Sequence, residues 1–172
     1  MPRQKEYDKK DVLNRAIKVF WDKGYEATSI QDLVNGMSIN RFSIYSTFKN
    51  KHELFLQALD EYLGTFIRPM LDELKASHKG LKAIEDYLNK FMSYIKEGKA
   101  PNGCLLINTA NELGAKKDNR MKNILVDYLN DLENSYYAAL EKAKALKQIP
   151  ANKSSFAARL LGPNNNQPVL NR

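Results

Sequence analysis

The chain is predicted to be all-α: an N-terminal three-helix bundle followed by a C-terminal set of longer helices. Three observations carry this prediction. Apolar residues recur at helical spacing almost from end to end, no run of alternating β-branched residues suits a half-buried strand, and Gly, Pro, Ser and Asn fall where the apolar stripes stop. At 172 residues the chain can bury one good core, as a single compact body or as two small packed lobes.

The first helix is expected over residues 8–23, with Val12, Leu13, Ala16, Ile17 and Phe20 on one face and Gly24 as its stop. Thr28 or Ser29 caps a short second helix through Ile30, Leu33 and Val34. After a turn at Met37-Ser38-Ile39, a third short helix runs over residues 40–48. Asn50, with Glu53 three residues on, resembles a capping box that starts a long helix carrying Leu54, Ala58, Leu59, Tyr62, Phe66, Met70 and Leu74, kinked at Pro69. Further helices are expected over residues 80–96, 102–113 and 118–145. A short apolar pattern at Phe156, Ala157, Leu160 and Leu161 then breaks at Gly162-Pro163, and residues 163–172 read as coil. The boundary near residue 50 separates a helix-turn-helix domain, 1–50, from a second domain, 51–172.

Composition narrows the function. Lys and Arg number 27 against 20 Asp and Glu, a net charge of +7 that suits a polyanionic partner, although many enzymes are as basic. The lone Cys104 cannot form an internal disulfide, which fits a reducing cytoplasm. The first twenty residues hold no apolar h-region, and no stretch reaches the ~20 apolar residues a bilayer requires. His52 and His78 lie too far apart to suggest zinc, no Gly-rich phosphate loop occurs, and no nucleophile, base and orienter fall at recognisable spacing. Asp72 and Glu73 read as a solvated helix face. No catalytic residue, metal or cofactor is expected.

The informative stretch runs from Gly24-Tyr25-Glu26-Ala27-Thr28-Ser29-Ile30-Gln31-Asp32-Leu33 to Asn40-Arg41-Phe42-Ser43-Ile44-Tyr45-Ser46-Thr47-Phe48-Lys49-Asn50-Lys51-His52-Glu53-Leu54. Its spacing suits two short helices crossing at a tight turn, the second able to enter a major groove. Ile44 and Phe48, four apart, face the first two helices, while Phe42, Ser43 and Ser46 point away and Arg41, Tyr45 and Lys49 form an adjoining strip. No acidic residue falls between Leu33 and His52, whereas Arg41, Lys49 and Lys51 do, so local charge says more than net charge. Ser, Lys and Arg on an outer face are usually only solvated surface. An exposed Phe42 beside Arg41 asks for more: a thymine methyl suits the ring, guanine suits the guanidinium, and bases or phosphates suit the hydroxyls. The DNA-reading candidates are Thr28, Ser29, Asn40, Arg41, Phe42, Ser43, Tyr45, Ser46, Lys49 and Lys51.

This stretch, G-Y-x-x-T-S-I-x-D-L and then I-Y-x-x-F-x-x-K-x-E-L, resembles the TetR/AcrR family of one-component transcriptional repressors. The resemblance covers about a third of the chain. It implies that Thr28 is the N-cap whose hydroxyl and amide meet a phosphate, that Tyr45 contacts backbone or base, and that Lys51 contacts a phosphate. Two positions depart from the family pattern. Ser38 stands at the usual turn glycine, with Gly36 two residues earlier, and the bulky Phe42 stands where a small residue is common.

The resemblance also implies that the helices after residue 50 form an effector pocket and a two-fold dimer interface, giving a homodimer that leaves double-stranded operator DNA when a small molecule binds. The ligand candidates are Phe66, Met70, Tyr87, Phe91, Tyr94, Cys104, Asn108, Asn111 and Tyr128, with Tyr136 beside them. Each aromatic, taken alone, is more ordinarily core filling. Gly103-Cys104-Leu105-Leu106 resembles a motif found in many members, including a branch that senses electrophiles through cysteine. On the expected helix, Cys104, Asn108 and Asn111 share a face opposite Leu106, Ala110 and Leu113. No base lies close in sequence to lower the thiol pKa, so an inert small hydrophobe is the commoner reading. Family members usually close with one more amphipathic helix, which here gives way to the Gly162-to-Arg172 segment. The expected dimer therefore leans on the helix over 118–145. Two rivals remain at this point: a helical small-molecule-binding protein without specific DNA binding, and a small helical enzyme acting on a hydrophobic substrate.

Overall fold

The computed structural model describes residues 7–98, 102–113 and 118–150, and among these there is no β-strand. The helices are α1 (Lys9–Lys23), α2 (Ile30–Met37), α3 (Arg41–Phe48), α4 (Lys51–Tyr62), α5 (Arg68–Ala76), α6 (Leu81–Lys96), α7 (Leu105–Leu113) and α8 (Asn119–Ala145), with a π-helical turn, Leu63–Ile67, between α4 and α5. The apolar pattern at residues 156–161 and the coil expected beyond it lie outside the described residues.

The chain divides into two compact units, one drawn from Met1–Ile67 and Tyr94–Met121, the other from Arg68–Ser93 and Lys122–Arg172. In the first unit, α1 begins where the Asp8 carboxylate accepts the Lys10 amide and ends at Gly24, whose φ of 79° lets its N–H return to the Phe20 carbonyl at 2.9 Å. Val12, Ala16, Ile17 and Phe20 of α1, Leu33 and Met37 of α2, and Leu54, Phe55 and Leu59 of α4 are buried together with Ile44 and Phe48 of α3. Each of these side chains larger than Ala16 withdraws an area worth about 1.5–3 kcal/mol. Gly36 sets how closely α2 meets α1, because a Cβ there would lie 2.2 Å from Val19 Cγ2.

The helix expected to run unbroken from Asn50 past Leu74, kinked at Pro69, is instead interrupted one turn earlier. Pro69 has no amide proton, and its ring crowds the carbonyl four residues back, at Thr65. The ladder widens to a π turn over Leu63–Ile67, and the Thr65 hydroxyl donates to the Glu61 carbonyl at 2.7 Å. The start of α4 is also simpler than a full capping box. Asn50 Oδ1 accepts the Glu53 amide at 2.8 Å, but the Glu53 carboxylate turns to Arg120 at 2.6 Å.

In the second unit, Leu74, Ala83, Ile84, Tyr136, Ala139 and Leu140 form the core, with Tyr87, Leu132 and Ile149 against it. Burial pushes the Tyr136 phenol above its ordinary pKa of 10.0. No described helix is long and apolar enough to cross a membrane.

Candidate nucleic-acid interface

Ser29, rather than Thr28, caps α2. Its hydroxyl accepts the Asp32 amide at 3.1 Å while the Asp32 carboxylate accepts the Ser29 amide at 2.9 Å, a reciprocal capping box. Thr28 is 1% exposed and donates its hydroxyl to the Gly24 carbonyl, so the expected N-cap hydroxyl at a phosphate is corrected to an internal brace. Lys23 and Ser29 together hold the Asp32 carboxyl well below its ordinary value of 3.8.

The turn between α2 and α3 is made at Ser38, which adopts the left-handed conformation (φ 55°, ψ 36°). Asn40 then caps α3, its Oδ1 accepting the Ser43 amide at 2.7 Å. Helical spacing divides α3 into an inner and an outer side: Ile44 and Phe48 are fully buried, whereas Phe42 is 76% and Tyr45 44% exposed. Arg41 and Ser46 share the exposed side, Ser43 is half-buried, and Ser46 Oγ donates to the Ser43 carbonyl. Lys49 is exposed but follows the helix at φ 68°, so it continues the Arg41–Tyr45 strip from a cap rather than from a further helical turn.

Sequence reading missed two supports. The Tyr7 hydroxyl lies 2.5 Å from Thr47 Oγ1 and donates to the Ser43 carbonyl at 3.5 Å, tying the residue ahead of α1 to α3. Glu112, on α7, accepts the Tyr25 amide at 2.9 Å and the Glu26 amide at 2.6 Å. Neither carries a local signal, since the partners are tens of residues apart in sequence.

The ammonium of Lys51 lies on the opposite chemistry of the same loop. It donates to the carbonyls of Tyr25 and Thr28 at 2.7 Å each and covers the Tyr25 ring at 4.5 Å. The loop before α2 is thus held by a carboxylate on its amides and an ammonium on its carbonyls. His52 Nε2 meets Asp118 Oδ2 at 2.8 Å, so the first turn of α4 is joined to the start of α8 both here and at Glu53–Arg120.

The expected ligand residues fall in both units. In the first, Phe66 packs on Tyr94 with ring centroids 4.9 Å apart. The Tyr62 hydroxyl donates to Cys104 Sγ at 3.9 Å, and Asn108 donates to the Asn102 carbonyl at 2.7 Å. Cys104 precedes α7 instead of opening it within the helix, so only Asn108 and Asn111 of the expected polar strip lie on α7 proper; both are exposed. In the second unit, Met70 and Tyr87 line a small cleft with Glu73 and Lys90, Phe91 is half-buried, and Tyr128 is buried.

A buried-backed, acid-free helix presenting Arg, Phe, Tyr and Ser from a tight two-helix turn defines a helix-turn-helix DNA-binding regulator. The comparisons with known proteins agree. Residues 12–58 match the family model for bacterial regulatory proteins of the tetR family, and residues 80–162 match that for the tetracyclin repressor-like C-terminal domain. The chain belongs to the TetR family of transcriptional regulators. It is 32% identical over 158 residues to the HTH-type transcriptional regulator YezE of Bacillus subtilis, a match spanning 92% of this chain and 81% of that protein. It is 34% identical over 112 residues to the repressor ComR of Escherichia coli, covering 64% of this chain and 53% of ComR. Among solved structures, a cysteine-substituted form of the TetR family regulator CifR in complex with 26bp double-strand operator DNA is similar at 26% identity and a TM-score of 0.75, with 92% of this chain and 85% of that one covered.

Proposed function

We propose that the chain is a homodimeric, effector-responsive repressor of the bacterial cytoplasm that lays one α3 per protomer in the major groove of a pseudo-palindromic operator, and that it carries no enzymatic activity. The observation that bears most weight is the two-sided character of α3: Ile44 and Phe48 fix it to the core while Phe42 and Tyr45 stand out with Arg41 and Ser46. An exposed phenylalanine has no structural purpose there, and a thymine methyl gives it one. Asn40 and Ser29 serve chiefly as caps, Ser43 and Lys49 complete the reading face, and Lys51 and Thr28 position it. Support for repression comes from ComR and from the negative regulator IcaR of Staphylococcus aureus, 24% identical over 156 residues. Support for operator binding comes from the CifR complex.

In this reading the effector binds through the C-terminal helices, with Phe66, Met70, Tyr87, Phe91, Tyr94, Cys104, Asn108, Asn111 and Tyr128 as the candidate residues. A salt-dependent gel shift with DNA upstream of the chain's own gene tests the proposal. A discrete complex that survives excess unrelated DNA is expected; binding no tighter than to unrelated DNA at every salt concentration overturns it.

A further inference from the structure

We propose that the cleft between α1 and α7 is a binding site for a small organic cation, separate from the candidate effector residues except for Asn108. The cleft has a volume of about 260 Å³ and is lined by Trp21, Asp22, Tyr25, Asn102, Asn108 and Glu112, with apolar groups beneath. That size suits a single-ring or compact alkyl ammonium rather than a drug-sized ligand.

Charge gives the class. In a chain of net charge +7, the described residues lining this cleft include two carboxylates and no Lys or Arg. Neither Asp22 nor Glu112 forms an ion pair with a described residue. Lys51, which covers the Tyr25 ring, is not among the lining groups.

Hydrogen bonding points the same way. The Trp21 N–H and one amide hydrogen of each asparagine are turned onto the backbone: Trp21 Nε1 donates to the Gly103 carbonyl at 3.0 Å, Asn102 Nδ2 to the Trp21 carbonyl at 2.9 Å, and Asn108 Nδ2 to the Asn102 carbonyl at 2.7 Å. Acceptors predominate in what is offered to a ligand: the Asp22 carboxylate, the remaining lone pairs of the Glu112 carboxylate and the amide oxygens, beside the aromatic rims of Trp21 and Tyr25. Acceptors and aromatic surface without a cationic side chain among the lining recognise an ammonium. Glu112 is also the carboxylate that holds the Tyr25 and Glu26 amides, so occupancy is linked to the loop that leads into α2.

Trp21 is the chain's only tryptophan, and its fluorescence reads the cleft directly in the absence of DNA. The protein is titrated with benzyltrimethylammonium, benzyl alcohol and benzoate at matched ionic strength. Saturable quenching by the cation is expected, with the neutral alcohol at least about tenfold weaker and benzoate without effect. Asp22→Asn and Glu112→Gln should each weaken the cation about three- to tenfold. No saturable response to the cation, an equal response to benzyl alcohol, or an affinity indifferent to both substitutions overturns the site. Hydrogen exchange at the Tyr25 and Glu26 amides should change on saturation with the cation; unchanged exchange overturns the link to the loop. Because no arm uses DNA, failure here leaves operator binding standing, and loss of operator binding leaves this site standing.

Discussion

The Lys51 ammonium donates to the Thr28 carbonyl at 2.7 Å, so the lysine of the K-x-E-L motif closes the loop before α2 from within the protein. An ammonium already ringed by carbonyls exchanges few counterions on DNA binding. Lys51→Ala is therefore expected to lower the melting temperature and the operator affinity while leaving the salt slope of binding unchanged. Lys49→Ala, at an exposed position, should leave stability within about 0.5 kcal/mol of wild type and flatten the slope by about one unit. Salt-dependent gel shifts on both variants separate the roles, and a flattened slope for Lys51→Ala would return that residue to the phosphate backbone.

Phe42 offers the cleanest separation of stability from recognition. With 76% of its surface exposed it contributes little to the core, so Phe42→Ala should unfold at the same denaturant concentration as wild type. Specific operator binding should fall by about 1–3 kcal/mol while binding to unrelated DNA holds. Equal loss on both DNAs would place the ring on the backbone and not on a base.

Gly24 is fixed by two independent constraints, a φ of 79° and the carboxylate of Glu112, whose oxygens would lie 3.0 Å from an added Cβ. Gly24→Ala should destabilise by about 1–2 kcal/mol and free the Tyr25 and Glu26 amides to exchange. Shortening the carboxylate in the Gly24→Ala, Glu112→Asp pair should recover the steric part of the cost, and a purely additive double variant would assign the whole effect to φ.

Asp32 sets a pH dependence. Its carboxyl titrates below the ordinary value of 3.8 in the folded chain, because the charged form is hydrogen-bonded by Lys23 and Ser29. The folded state therefore binds the proton less readily than the unfolded one, and the resulting stability is present in full above the ordinary carboxylate range and lost as the pH falls through the folded value. Wild type should exceed Asp32→Asn in stability at neutral pH, with the gap closing below about pH 4. A gap that widens in acid would show the sign to be wrong.

The inward and outward sides of α3 were legible because a 3.6-residue period leaves Ile44 and Phe48 one way to point. The cap at Asn50 was legible for a similarly local reason, a side chain three residues from an open amide. What escaped were relationships without a local signature. Thr28 and Ser29 are equally good caps on paper, and only the approach of the Gly24 carbonyl draws Thr28 inward. A motif lysine reads identically whether carbonyls or phosphates await it, and Glu112 lies 87 residues from the amide it holds. Pro69 announced a break, but the strain was taken up upstream, where Gly64 and the Thr65 hydroxyl make a wider turn tolerable.

Ser38 makes the bend between α2 and α3 in a conformation that costs a β-carbon about 1–2 kcal/mol. The chain therefore carries an unclaimed reserve of robustness at a solvent-facing position, and a single Ser38→Gly replacement releases whatever part of it the extra freedom of glycine in the denatured chain does not absorb. Heat tolerance of the DNA-reading head can in this way be raised at a bend, without altering a side chain that faces the groove.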